Sequence, residues 1–482
     1  MSPVLVWFRQ DLRVADNPAL HAACEAGEPV YPLFIWAPEE EGAWAPASAS
    51  RYWLHHSLAA LDAALRALGS ALTIRAGASL AAITAFAREV GARRVYWNRR
   101  YEPAAVERDG LLEQALADAG IDARSFKGGL LFEPREVRTN AGEPFKVFTP
   151  FWRQCLKQPE PEAPLPVPRR IPAPARWPAS RVLAELKLLP RVDWAGGIRQ
   201  SWPVGEAGAR AALDRFLAQG IDGYAQCRDR PDLDGVSRLS PYLHFGEVSP
   251  RQVWAAVCAR ELDAGRMSLS ASAAGYLRQL GWREFAHHLL FHFRATPAQP
   301  MREEYAAFPW LDDAHQLECW ERGRTGYPIV DAGMRELWTT GWMHNRVRMI
   351  AASFLVKDLL VHWRHGARWF WDTLVDADLA NNTLGWQWTA GCGADAAPYF
   401  RIFNPVSQAE RFDPDGAYVR KWVPELARLP DRHLHSPWRA PDDVLAAAGV
   451  RLGAEYPHPM VEHDLARQRA LDAWQRMRGM RR

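Results

Sequence analysis

Between residues 158 and 178 the chain reads QPEPEAPLPVPRRIPAPARWP. Each proline locks φ and removes a backbone donor, so no continuous helix or central strand can run through such a stretch. The proline-rich composition extends over residues 156–205. It predicts a long linker laid over the surface, joining two differently built halves. With 482 residues there is enough chain for two or three domains and ample core.

Before the linker, short apolar runs alternate with amphipathic stretches. Residues 4–8, 30–36, 71–75 and 94–97 read as buried strands, and 122–126 as a further one. Residues 51–68, 80–90 and 104–119 carry apolar side chains at helical spacing. This rhythm predicts an α/β domain over 1–130, a Rossmann-like parallel sheet with covering helices. The residues after Phe8 are RQDLR, with no Gly-rich phosphate loop, so a standard dinucleotide site is not supported there. Residues 131–205 are then the interdomain linker. From 206 the period turns helical, at 206–218, 253–262, 276–293, 328–340, 346–360, 368–375 and 465–477. An all-α domain over 206–482 follows.

No segment has the roughly 20 consecutive apolar residues that span a bilayer, and no secretory signal is evident at the N-terminus. The six cysteines include no CxxC pair, which suggests neither zinc nor an iron–sulfur cluster, and no metal is expected. A reducing cytoplasm fits. The net charge of +3 says little about nucleic acid, because binding needs a local basic face rather than a large total. The 23 tryptophans say more, since such a density suits stacking on planar ligands or bases.

Residues 376–388, DADLANNTLGWQW, put two carboxylates, two adjacent amides and two tryptophans together. Buried acids and amides need partners. The stretch is therefore either a wet surface loop or the wall of a polar, aromatic pocket, and its aromatic content favours the pocket. The Asn381–Asn382 pair is equally turn chemistry.

Residues 224–405 resemble the flavin-binding half of the DNA photolyase and cryptochrome family, and within it the bacterial cyclobutane-dimer enzymes. The motifs are SRLSPYLHFGEVSPRQ (237–252), GWREF (281–285), TGYPIVDAGMR (325–335), GWMHNRVRM (341–349) and DADLANNTLGWQW, the last flanked by GADAAPYFRIFNP (393–405). VLVWFRQDLRVADNPAL (4–20) is similar to the family's opening. Several long motifs in order are far more specific than one short pattern.

The resemblance implies FAD in the helical domain and, on the N-terminal domain, an antenna chromophore, either methenyltetrahydrofolate or a deazaflavin. Tyr224, Val236, Ser237, Arg238, Leu239 and Ser240 match phosphate and ribityl contacts, although a plain helix N-cap would use the same serines. Asp376 and Asp378 match acids bordering the isoalloxazine and ribose, with Arg348 paired to the first. Asn382 matches the residue facing flavin N5, where plant cryptochromes carry an acid able to supply a proton. Trp386, Trp363 and Trp310 fall on the family's electron-transfer chain; without the resemblance they would be ordinary core. Trp282, Trp388, Asn345 and Met349 match the pocket for a flipped pyrimidine dimer, and Arg228, Arg283, Arg346 and Arg401 match arginines holding the damaged strand's phosphates. At Gln279 the cyclobutane-dimer enzymes usually carry glutamate; the (6-4) enzymes carry glutamine there but need histidine where this chain has Asn345. NRRYEP (98–103) and Trp53 are candidate borders of the antenna site, or simply finish the sheet edge.

The implied activity is light-driven dimer repair in UV-damaged DNA by a monomer, with no membrane partner. The alternatives are a cryptochrome-like blue-light sensor that binds FAD without efficient repair, or repair of (6-4) photoproducts. Gln279 favours the sensor mildly, whereas Asn382 and the lack of a long tail after Met480 speak against it.

Overall fold

The structure is a computed structural model that describes residues 2–395 and 400–479. Residues 396–399 of the 393–405 segment, and the end of the chain after 479, lie outside the described residues. By contact the chain forms two compact units. One comprises Met1–Asp222, Ser237–Arg294 and Val375–Asp378; the other comprises Gly223–Val236, Ala295–Leu374 and Leu379–Arg482. Composition divides the chain at 130 and 205, but contacts group it differently, and the helices between 237 and 294 belong with the N-terminal residues.

The first unit is built on a five-stranded parallel sheet. Its strands are β1 (Val4–Phe8), β2 (Val30–Trp36), β3 (Thr73–Ala76), β4 (Arg94–Asn98) and β5 (Asp122–Phe126), in the order β3-β2-β1-β4-β5. In register, Val4 faces Val30 on one side and Arg94 on the other. A parallel sheet is covered on both faces, so its central strands read as unbroken apolar runs, and all of β1 is buried. β5, DARSF, is polar because it forms an edge. Leu5, Trp7, Leu33, Phe86, Val95, Trp97, Leu112 and Leu116 pack one face against the helices Ser79–Val90 and Pro103–Asp118.

The proline-rich stretch is pinned to this unit rather than hanging free. Asp16 and Leu165 exchange hydrogen bonds of 3.0 and 2.9 Å, Val30 N–H donates to Pro172, and Ile171 is fully buried. The loop after β1 meets the end of the helix Ser240–Phe245, where Leu12 N–H donates to the Phe245 carbonyl at 3.1 Å. Gly246, at φ +68°, closes that helix; a Cβ there would collide with the Gln10 carbonyl.

The second unit is helical. The expected helix over 346–360 is two elements: an α-helix Asn345–Ser353 runs into a π turn, Phe354–Asp358, in which Leu359 N–H reaches back to the Phe354 carbonyl at 3.0 Å. Leu360, at φ +54°, then breaks the run. The helix expected at 368–375 is Trp363–Thr373. Residues Leu379–Ala390 are also a helix, so the surface-loop and Asn–Asn turn alternatives fall. No apolar stripe announced it, because its buried set mixes Leu379, Ala380, Thr383, Trp386, Gln387 and Thr389. Among the described residues no helix is long and apolar enough to cross a membrane.

Candidate functional site

In the first unit, Asp378 lies in a buried histidine pair. Its Oδ2 is 3.7 Å from His244 Nδ1 and 3.5 Å from His287 Nε2. Burial alone would raise the Asp378 carboxyl, but the charge of His287, with that of His244 beside it, outweighs burial and holds the group well below the usual carboxylate range. Burial lowers His287, Asp378 more than compensates, and the imidazole ends up raised. Neither histidine was singled out from sequence. Both stand in or beside the quoted motifs, but their common partner lies about ninety or more residues away, where spacing carries no signal.

The residues before Ser240–Phe245 do not form a plain cap. The helix has no side-chain cap bond, and Ser237 Oγ instead accepts from Leu239 N–H at 3.4 Å. Arg238 adopts φ +54°, with its guanidinium 4.4 Å from the centre of the Trp202 ring. Val236 and Ser237 are half-buried, Leu239 is buried and Ser240 is exposed.

The helix Ala271–His292 carries Gln279, Trp282 and Arg283, three and four residues apart and so on one face. Gln279 Nε2 donates to the Gly275 carbonyl at 3.2 Å. The Trp282 ring lies 3.8 Å from that of Phe148, nearly parallel. Arg283 Nη1 donates to the Gly129 carbonyl at 2.8 Å. Glu284 is buried and accepts from Leu131 and Phe132 N–H, both at 3.0 Å, so it ties the helix to the loop after β5 and is not a substitute for a glutamate at 279.

A cleft of about 360 Å³ opens beside β4 and β5, lined by Trp97, Arg99, Arg100, Tyr101, Glu133 and Phe291 among others. NRRYEP therefore borders a cavity. Trp53 does not: it is fully buried, donates to Glu247 at 3.2 Å and stacks on Phe245. Its expected antenna role is corrected to a core one, since an indole packed on all sides has no face for a ligand.

In the second unit, Trp386 is buried against Phe370 and Trp320, with ring centres 5.0 and 6.1 Å away. A Cβ at Gly366 would collide with its ring. Gly366 stands one turn beyond Trp363 on the same helix, so that helix brings Trp363 and the Trp386 slot to one face. His362 bridges the remaining interval, 5.6 Å from Trp363 and 5.1 Å from Trp310, which is half-exposed. His362 thus links two of the expected tryptophans, Trp363 and Trp310, while Trp386 packs over Gly366 of the same helix; Trp320, which also touches Trp386, was missed because its position has no motif. Asn382 Nδ2 donates to the Ala367 carbonyl at 3.0 Å, leaving Oδ1 as an acceptor.

Trp388 Nε1 donates to the Asp395 carbonyl at 3.1 Å, and the Arg401 guanidinium lies 5.6 Å from its ring centre. With Ser353 and Lys357 they line a cavity of about 20 Å³, the size of one water. Lys357 is buried; its amine donates to the Ala390 carbonyl at 2.7 Å, and burial drives its pKa well below the ordinary lysine value. The helix Asn345–Ser353 is capped by His344, whose Nδ1 accepts from Arg346 N–H at 3.2 Å and which burial lowers to about 4. Asn345 and Met349 share a face, Nδ2 to Sδ 3.9 Å, and Arg348 Nε donates to the Met343 carbonyl at 2.7 Å. Arg346 pairs with Asp229 at 2.9 Å. Tyr224 is buried, with the Arg228 guanidinium 5.5 Å from its ring centre. Asp376 is buried in the first unit.

Residues 4–170 match the DNA photolyase family, and residues 276–476 match the FAD binding domain of DNA photolyase. The chain is 48% identical over 474 residues to a deoxyribodipyrimidine photo-lyase of Agrobacterium fabrum, covering 98% of each chain. It is 42% identical over 481 residues to cryptochrome-1 of Arabidopsis thaliana, covering 98% of this chain and 70% of that one. A solved bacterial class III photolyase from Agrobacterium tumefaciens superposes with a TM-score of 0.95 at 47% identity, covering 99% of this chain and 98% of that one. A cryptochrome from Synechocystis superposes with a TM-score of 0.89 at 30% identity, covering 98% of this chain and 99% of that one. With both halves matched and the similarity running end to end, the chain belongs to the DNA photolyase and cryptochrome family.

Proposed function

We propose that this protein is a deoxyribodipyrimidine photo-lyase, which holds FAD and uses blue light to split cyclobutane pyrimidine dimers in DNA. The observation that carries this reading is Asn382. One of its two amide N–H groups donates to the Ala367 carbonyl, which fixes the orientation of the amide and leaves Oδ1 to serve a ligand as an acceptor. An acceptor suits the N–H that a fully reduced flavin carries, and an amide gives up no proton.

Tyr224, Val236, Ser237, Arg238, Leu239, Ser240, Arg348, Asp376, Asp378 and Asn382 would hold the FAD. Asp378, kept ionised by two histidines, is a fixed anion able to accept from ribose hydroxyls. Bound FAD supplies the light-driven electron. The chain supplies placement: Trp282 and Trp388 offer flat faces to extruded bases, Asn345, Met349 and Gln279 complete the lesion pocket, and Arg228, Arg283, Arg346 and Arg401 engage phosphates. Trp386, Trp363 and Trp310 relay electrons from the surface. The antenna, a folate or a deazaflavin, would lie in the cleft lined by Trp97, Arg100, Tyr101 and Phe291, where rings and arginines suit a planar chromophore with an acidic tail. We read the protein as a monomer of the cytoplasm.

The test uses protein reduced without oxygen and mixed with an oligonucleotide bearing one cyclobutane thymine dimer. Recovery of thymine absorbance under blue light, absent in the dark, supports repair. Gln279 favours a second reading as a light sensor, since its Nε2 is turned to its own helix and it bears no charge. Dimer binding without recovery, by protein that retains FAD, would establish that reading or shift the substrate to a (6-4) lesion, which is then tried directly.

A further inference from the structure

Arg346 meets Asp229 through a single contact, Nη2 to Oδ1 at 2.9 Å. The same Oδ1 lies 3.9 Å from Arg228 Nε. One carboxylate oxygen thus sits in front of two arginines, as one phosphate oxygen would. The geometry differs from that of the buried pair Arg9–Asp109. Arg9 grips Asp109 through both carboxylate oxygens, at 2.7 and 2.8 Å, with almost no exposure. The Asp229 side chain is 38% exposed. The face of the Arg346 guanidinium is held independently, 4.4 Å from the Phe412 ring centre.

We propose that Asp229 is a phosphate surrogate: it occupies the arginine pair when DNA is absent and competes with the DNA backbone for it. The inference rests on the reading of Arg228 and Arg346 as phosphate contacts. A single-point, half-exposed ion pair holds its arginine weakly, and Phe412 orients Arg346 in any case, so Asp229 contributes little as a clamp. A full negative charge left inside the phosphate footprint opposes binding much more. Asp229 therefore weakens association with every DNA backbone alike, damaged or not, and keeps the protein from lodging on undamaged duplex.

The experiment measures dissociation constants by fluorescence anisotropy across a salt series, with FAD-loaded protein and a duplex bearing one thymine dimer. Wild type, Asp229→Asn, Arg346→Gln and the double variant are compared, with melting temperatures to confirm folding. Asp229→Asn should tighten binding about fivefold at low salt, the size of the interaction between unit charges about 4 Å apart in water. It should also steepen the slope of log K against log salt by up to about 0.9. Arg346→Gln should loosen binding, and most of the Asp229→Asn gain should vanish in the double variant. If Arg346→Gln loosens binding while Asp229→Asn leaves it unchanged or weaker, Asp229 is only a clamp and the proposal is overturned. Should Arg346→Gln change nothing, the phosphate reading itself fails, and the proposal with it.

Discussion

Trp386 sits in a closed slot between Phe370, Trp320 and the bare backbone of Gly366, so its ring has one position. Replacing it with phenylalanine keeps an aromatic group but removes the easily oxidised indole. Trp386→Phe should slow photoreduction of oxidised flavin at least tenfold and leave repair by chemically reduced protein unchanged, as transient absorption and dimer repair would separately show; equal loss of both would refute the relay. Gln279→Glu exchanges an uncharged amide for a carboxylate on the same helix face as Trp282 and Arg283. Repair yield per absorbed photon should rise up to about twofold with DNA affinity nearly intact, and an unchanged yield would show that glutamine is no handicap. Asp378 has a two-sided pH dependence. Its own depressed pKa contributes stability that is present above its unfolded value near 4 and lost as pH falls through the folded value. His287, raised, contributes below about 6.5 and loses that contribution as pH climbs through its folded value. The pair is strongest between these limits. Asp378→Asn strands two buried imidazoles and should cost about 3 kcal/mol near pH 6, measured by denaturant unfolding; a loss independent of pH would contradict the pairing.

At the scale of elements, Glu247 joins the helix Ser48–Ala67 to the residues after Ser240–Phe245 by accepting the Trp53 indole N–H. Burial raises its carboxyl to about 8. The folded state therefore prefers it protonated; its contribution is full below the unfolded value near 4.5 and is lost as pH rises toward 8. Glu247→Gln keeps the acceptor and removes the charge. It should match wild type near pH 4.5 and exceed it by a few kcal/mol at pH 8.5, read from unfolding curves at both. The elements differ in how far the sequence announced them. The strands were legible because a central parallel strand is buried on both faces, leaving β1 and β2 no polar residue. The helix Leu379–Ala390 was not, because its buried face mixes apolar residues with Thr383, Gln387 and Thr389 and so shows no apolar stripe. The π turn was invisible for another reason: one extra residue per turn alters which groups bond, not which are apolar. Site residues in long motifs, such as Trp282 and Asn382, were identified by resemblance. Where they point depended on partners such as Phe148 and Ala367, which only the fold supplies.

Taken as a whole molecule, neither compact unit is a continuous piece of chain. The polypeptide leaves the first unit at Asp222, returns at Ser237, leaves again at Arg294 and comes back for Val375–Asp378 alone. The proline-rich stretch, which in composition looks like the place to cut, is bonded along its length to the sheet. A chain ended at residue 294 should therefore fail to yield a soluble, cooperatively melting product even though it contains every strand; a sharp thermal transition from that fragment would refute this. The same threading imposes an order on biosynthesis. His244 and His287 emerge from the ribosome well before the aspartate that they surround: His287 precedes Asp378 by 91 residues, and at about 5–20 residues per second that wait is roughly 5–18 s. For that interval the nascent N-terminal half carries two histidines destined for burial and no anion to receive them. The tetrapeptide Val375–Asp378 is thus the closing stitch of a half-molecule whose sheet was translated some 250 residues earlier.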